Sequence, residues 1–233
     1  MANSDQLSKN RANTVINKTS KKEDKLIQKV TREVIDTIES KYSGIKVSWD
    51  KTLYLKDILS QLEAKYKSPG FQFAKTNNAS SNMRPDGGIV SIVDKDGNKY
   101  PILIGEVKNQ GTNNKRRAAG LPNQSLGNAV ERLGKNVIGM KTFMMEEEIF
   151  PFVCFGDGCD FAKGSSILDR VVTIAMFGEL NKIHVKDEGP FKRGSFFFRE
   201  EAWTDKEMYE ILLEVAETSI QYYIGKYKKE RFM

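Results

Sequence analysis

Arg84-Pro85-Asp86-Gly87-Gly88-Ile89-Val90, with the segment Pro101-Ile102-Leu103-Ile104-Gly105-Glu106-Val107-Lys108 that follows it, decides the fold. Gly88 to Val93 and Pro101 to Gly105 read as two strands, and Asp94-Lys95-Asp96-Gly97-Asn98 lies between them. The Asp-Gly pair is a strong hairpin signal, although this loop is longer than the ideal two-residue turn. Asp86 then stands at the entrance to one strand, and Glu106 and Lys108 near the exit of its neighbour. Residues two apart in an extended chain share a face. Glu106 and Lys108 are therefore expected to face one site while Val107 turns into the core, and the hairpin brings Asp86 beside Glu106.

Those residue types suit phosphodiester hydrolysis. Two carboxylates can hold Mg²⁺, a hard ion that prefers oxygen ligands and keeps some of its water. Such an ion polarises a phosphate oxygen, facilitates formation of hydroxide and stabilises the leaving 3′ oxygen, giving a 5′ phosphate and a 3′ hydroxyl. Lys108 can orient the attacking water or stabilise developing negative charge. Whether it is the general base stays open, because an unperturbed lysine is mostly protonated near neutral pH. An Asp, Glu and Lys near a hairpin are usually ordinary solvated residues. The alternation of these charges with strand-compatible residues moves the reading toward a nuclease.

Outward from the hairpin, the pattern is helical on both sides. The first 25 residues are polar and rich in Lys, Asn and Ser, and read as a flexible basic arm. Ser20 and Glu23 have capping-box spacing, and Leu26, Ile27, Val30, Val34 and Ile38 continue as an apolar stripe ending near Gly44. A second helix is expected over Leu53 to Tyr66, closed by Pro69 and Gly70, and a short strand over Phe71 to Phe73. Gly111 to Gln124 reads as a polar connector carrying the basic cluster Lys115, Arg116 and Arg117. A helix over Gly127 to Met145 would use Val130, Leu133, Val137, Ile138 and Phe143 as its apolar positions. Phe150 to Phe155 reads as a buried strand and Ile167 to Phe177 as a helix. Thr204 and Glu207 have the spacing to cap a last helix whose apolar face includes Met208, Leu212, Val215 and Ile220. Helices interspersed with a central mixed sheet give an α/β class. The expected organisation is an arm over 1–25 and one domain over 26–233, with a DNA-binding arm around 111–126.

Composition sets the outer bounds. The 233 residues, 39% of them hydrophobic, suffice for one substantial core. A formal net charge of +6 favours a polyanionic partner or simply aids solubility. No stretch has the length of a membrane span. The two cysteines, Cys154 and Cys159, with the single histidine His184, do not make a zinc site. A reducing, cytoplasmic setting is the expectation.

The segment from Arg84 to Val90, followed by Glu106-Val107-Lys108 with Gln110-Gly111 behind it, resembles the PD-(D/E)xK nucleases, specifically the EcoRI restriction endonuclease family. Gly127-Asn128-Ala129-Val130-Glu131-Arg132 resembles that family's DNA-reading segment, Pro151-Phe152-Val153 the strand after it, and Leu168-Asp169-Arg170 and the Trp203 to Ser219 region continue the match. The agreement in order runs from about residue 77 to 225 and is looser before that. The resemblance implies a restriction-endonuclease-like fold, a central mixed sheet flanked by helices. It implies Asp86 and Glu106 as Mg²⁺ ligands and Lys108 as the catalytic lysine. Asn128, Ala129, Glu131 and Arg132 would belong to the recognition segment, with Gln110 and Arg170 as further DNA contacts. Asn128 has the donor and acceptor needed to read an adenine edge.

Two departures bear on specificity. Gln124-Ser125-Leu126 replaces the family's Met-Ala-Ala, and Ile167 stands where the family carries an arginine used around the outer guanine. The resemblance then implies a homodimer on palindromic duplex DNA, a retained AATT core with altered or relaxed outer pairs such as RAATTY, and 5′-AATT overhangs. A cognate methyltransferase would act on the same site without necessarily binding this protein. A repair or structure-selective nuclease of the same superfamily and a non-catalytic DNA-binding module stand as the alternatives.

Overall fold

The computed structural model describes residues 10–66, 75–109, 111–122, 127–178 and 195–233. Helix α1 (Asn10–Lys41) buries Ile27, Val30, Val34 and Ile38 along one stripe, as their spacing requires. It is already helical at Asn10, the first described residue, well ahead of the capping pair at Ser20 and Glu23. No Gly or Pro lies within it to stop propagation toward the N-terminus. The chain turns at Gly44, whose φ of 96° suits glycine, and enters β1 (Lys46–Asp50). A two-residue ribbon follows, β2 (Leu53–Tyr54) pairing with β3 (Asn82–Met83), with helix α2 (Leu55–Lys65) between them. Leu53 and Tyr54 therefore belong to a strand and not to the helix expected there. The strand expected at Phe71 to Phe73 lies outside the described residues.

The hairpin of β4 (Gly88–Val93) and β5 (Lys99–Asn109) forms the centre of a five-stranded sheet ordered β1-β4-β5-β6-β7. β1, β4 and β5 run antiparallel, whereas β6 (Phe152–Asp157) and β7 (Phe196–Phe198) are parallel to β5. The sheet is therefore mixed. Every residue of β4 is buried, the pattern of a strand covered on both faces. Asp94 closes the hairpin, accepting the N–H groups of Asp96 and Asn98 at 3.0 and 2.7 Å and the Arg231 guanidinium at 2.9 Å.

Helix α3 (Gly111–Ala118) corrects the expectation of a polar connector over this stretch. Its sequence has no apolar stripe, and its anchor is tertiary. Asn113, fully buried, donates to both carboxylate oxygens of Asp160 at 3.0 Å in the short turn Cys159–Phe161. Helix α4 (Gly127–Phe143) buries Leu133, Val137 and Met140 but leaves Ile138 66% exposed. Neighbouring positions on a helix differ by about 100°, so Val137 and Ile138 cannot both face the core. Helix α5 (Ser166–Gly178) buries Ile167, Val171 and Ala175. Helix α6 (Asp205–Tyr227) opens with a complete capping box between Thr204 and Glu207. It packs on α1 and on β5, and Tyr223 donates its hydroxyl to the Pro101 carbonyl at 3.0 Å. Among the described residues no helix is long and apolar enough to cross a membrane.

Candidate active site

The turn carrying Asp86 is built by close backbone approach. Gly87 donates its N–H to the Gly105 carbonyl at 2.9 Å, and its own carbonyl accepts the Trp49 indole N–H at 2.8 Å. A Cβ on Gly87 would lie 3.1 Å from Ile27 and 3.2 Å from the Gly105 Cα. Gly88 has a φ of 79°, and a Cβ there would sit 2.5 Å from the Trp49 Nε1. The two glycines thus let α1 and Trp49 press on the loop and hold it against β5. Because Gly105 faces Ile27 of α1, the next residue, Glu106, points to the opposite face of the sheet.

Three side chains meet at this point. The Asp86 N–H donates to Glu106 Oε2 at 3.3 Å, and the Val107 N–H donates to Asp86 Oδ2 at 3.2 Å. The Lys108 ammonium lies 3.5 Å from Asp86 Oδ2 and is in direct hydrogen-bond contact with Glu106 Oε1. Val107 is buried between them in sequence and on the other face, as alternation requires. Glu106 is only 2% exposed, and burial raises its carboxyl above the ordinary glutamate range against the lowering effect of Lys108. Burial acts on Lys108 in the lowering direction, but the Glu106 and Asp86 carboxylates reverse it and hold the ammonium above its ordinary value.

Two carboxylates thus converge on one cation, here the ammonium. Their all-oxygen donor set fits a hard divalent ion, which commonly takes only one or two protein carboxylates and keeps water for the rest. Among the described residues no three or more His, Cys, Asp or Glu side chains gather as a metal cage.

Three contributors carry no motif in the sequence. Gln28 of α1 donates to the Asp86 carbonyl at 3.1 Å. Asp24, one turn earlier on the same helix, is close enough that Asp86, after burial, raises its carboxyl and Lys108 lowers it. Asn136 of α4 donates to Glu106 Oε1 at 3.3 Å. Only Asn136 leaves a trace in the sequence, as a polar residue interrupting the apolar stripe of Leu133, Val137 and Met140.

The other candidate residues lie apart from this centre. Asn128 and Ala129 fall in the first turn of α4, and Glu131 and Arg132 are exposed in its next turn. Arg170 is exposed on α5, which meets α4 where Gly134 faces Ile174. Ile167, by contrast, is 2% exposed and packs in the core. In α3, Arg116 donates to the Pro122 carbonyl at 2.6 Å, Arg117 is exposed, and Lys115 lies in the same helix. Gln110, Gln124 and Ser125 lie outside the described residues.

Comparison with known proteins agrees with this architecture. The family model for restriction endonuclease EcoRI matches residues 9–184, most of the chain. The chain belongs to the EcoRI restriction endonuclease family, and its class is that of the type II restriction enzymes, the site-specific deoxyribonucleases. It is 28% identical to the type II restriction enzyme RsrI of Cereibacter sphaeroides, over 89% of this chain and 87% of that protein. It is 29% identical to the type II restriction enzyme EcoRI of Escherichia coli, over 61% of this chain and 65% of that one.

Proposed function

We propose that this chain cuts both strands of duplex DNA at a short palindromic site, with Asp86, Glu106 and Lys108 as its catalytic residues and Mg²⁺ as its cofactor. The observation that carries the proposal is the convergence of two carboxylates and one ammonium, Asp86 from the turn that leads into β4 and Glu106 and Lys108 from β5. Asp86 and Glu106 would hold the metal ion, which when bound supplies charge neutralisation at the phosphate and acidifies a water. Lys108, in contact with both carboxylates, is suited to orienting the attacking water or to stabilising the negative charge that develops on the phosphate oxygens. β6 lies beside β5 with Cys154 next to Glu106 and both buried, a setting of low polarity that strengthens these interactions.

Recognition rests on α4 and its neighbours. Asn128, Ala129, Glu131 and Arg132, with Gln110, Gln124, Ser125 and Arg170, would read base edges, and Lys115, Arg116 and Arg117 would follow the phosphate backbone. A palindromic site asks for two equivalent surfaces, hence a homodimer. The site would keep an AATT core with relaxed outer pairs (RAATTY) and leave 5′-AATT overhangs. Incubation of duplex DNA with the protein and Mg²⁺, against the same mixture with a chelator, tests the activity. Metal-dependent double-strand breaks with 5′ phosphates and 3′ hydroxyls are expected. Binding without cleavage would leave only a DNA-binding module.

A further inference from the structure

Asn136 is the one described side chain outside the β4–β5 hairpin that donates a hydrogen bond to Glu106. The other donors to that carboxylate, the Asp86 N–H and the Lys108 ammonium, belong to the hairpin and its leading turn. Asn136 is different, because it sits on α4.

Its place on that helix is unusual for an amide. Leu133, Val137 and Met140, at three residues before, one after and four after, are all buried, so Asn136 lies within the inward face. Asn136 itself is half-buried, so its amide is partly shielded from water and gains from a protein partner. Glu106 is that partner. The contact is also rigidly framed. Gly139, one turn further along α4, rests against Met83 so closely that any side chain at 139 would overlap it. Met83 ends the strand that leads into Pro85 and Asp86. One helix therefore touches both arms of the candidate site. The N-terminal turns of that helix carry Asn128 to Arg132, with Asn128 about 12 Å from Asn136 along the axis.

We propose that Asn136 is a positioning residue that fixes the rotamer of the Glu106 carboxylate and ties it to the placement of α4, so that seating of the 127–132 segment on DNA is relayed to the cleavage centre. This rests on the reading of Glu106 as a catalytic carboxylate. Asn136 touches neither the substrate nor the metal. Its amide sets where one carboxylate oxygen points, and a carboxylate free to rotate presents the correct geometry for only part of the time.

The test uses the full-length protein with Asn136→Ala, Asn136→Leu and Asn136→Gln. Leu keeps the approximate volume without a donor, whereas Gln keeps a donor on a longer arm. Single-turnover cleavage of a duplex substrate should fall about 10–100-fold in the Ala and Leu variants. It should require a higher Mg²⁺ concentration, with Gln recovering part of the rate. DNA affinity measured without divalent metal should stay near wild type. Discrimination between the preferred site and a site with one altered base should narrow, because the relay is cut. In metal-free protein, a double-mutant cycle of Asn136→Ala with Glu106→Gln should show coupling in unfolding stability, a readout independent of cleavage.

Wild-type rates and metal dependence in Asn136→Leu, with additive stabilities in the cycle, would overturn the proposal. A uniform loss of stability and DNA binding with unchanged Mg²⁺ dependence would equally reduce Asn136 to a packing residue. Glu106→Ala is the control for the underlying reading. If it cleaves normally the catalytic assignment falls, whereas if it is inactive and the Asn136 variants are normal only the relay falls.

Discussion

Asp86 Oδ2 accepts the backbone N–H of Val107 at 3.2 Å, which stitches the turn bearing one carboxylate to the strand bearing the other. Residues far apart in sequence become a single unit because the hairpin register sets Gly88 opposite Gly105. The geometry of the centre therefore depends on backbone contacts as much as on charged side chains.

The side-chain prediction follows. Asp86→Ala, Glu106→Ala and Lys108→Ala should each suppress single-turnover cleavage by at least about 100-fold, a loss of about 2.7 kcal/mol or more in transition-state stabilisation. Each should leave the far-ultraviolet circular dichroism intact. Asp86→Ala and Glu106→Ala proteins that cleave like wild type would remove both residues from the site.

The backbone prediction concerns Gly88. Its positive φ and the nearness of Trp49 Nε1 make any side chain there both strained and overpacked. Gly88→Ala should destabilise the protein by about 2 kcal/mol or more, lowering Tm by about 4–8 °C. It should also disturb the Asp86 turn and so slow cleavage. An unchanged melting curve would show that Trp49 moves aside freely.

A third prediction tests the basic helix. Replacing Lys115, Arg116 and Arg117 together with glutamine should weaken DNA binding and reduce the slope of log affinity against log salt by up to about 3. The fold should persist, because the anchor of α3 is the Asn113–Asp160 contact. Binding that is unchanged across a salt series would make the cluster a solvated surface.

Acid stability should carry the signature of Glu207. The Arg199 guanidinium, bonded to both its oxygens at 2.7 and 2.6 Å, holds its carboxyl down at about 2. A depressed pKa in the folded state contributes stability above the ordinary glutamate range that is lost as pH falls from there toward about 2. The side chain is 40% exposed, so solvent screening limits the contribution to about 1 kcal/mol. In urea unfolding, Glu207→Gln should cost most near neutrality, and the gap to wild type should shrink through the acid range. A gap independent of pH would mean that the capping geometry, and not the charge, is what the carboxylate supplies.

How much of this was legible follows from the range of the interactions involved. The hairpin, the Glu106–Lys108 alternation and the Thr204–Glu207 capping box are local patterns, written in period two or in fixed offsets, and the structure has them where the sequence places them. β1 and β7, at five and three residues, are too short to display a period. The helical form of 111–118 was hidden because its stabilising partner, Asp160, lies 47 residues from Asn113. The same distance problem hides Gln28 and Asn136, whose roles exist only once α1 and α4 are set against the hairpin. Ile167 illustrates the opposite limit, since its identity is plain in the sequence but its burial is a property of the folded subunit.

The most direct measurement is cleavage of a randomised duplex library by the wild-type protein with Mg²⁺, followed by sequencing of both product ends. Double-strand cuts are expected at a palindrome with AATT at its centre, purine before and pyrimidine after, with 5′-AATT overhangs bearing 5′ phosphates. Strict GAATTC would retract the relaxed edge alone. Cuts that follow branches or lesions, or lack an AATT core, would show that this chain is not a palindrome-reading endonuclease of that specificity.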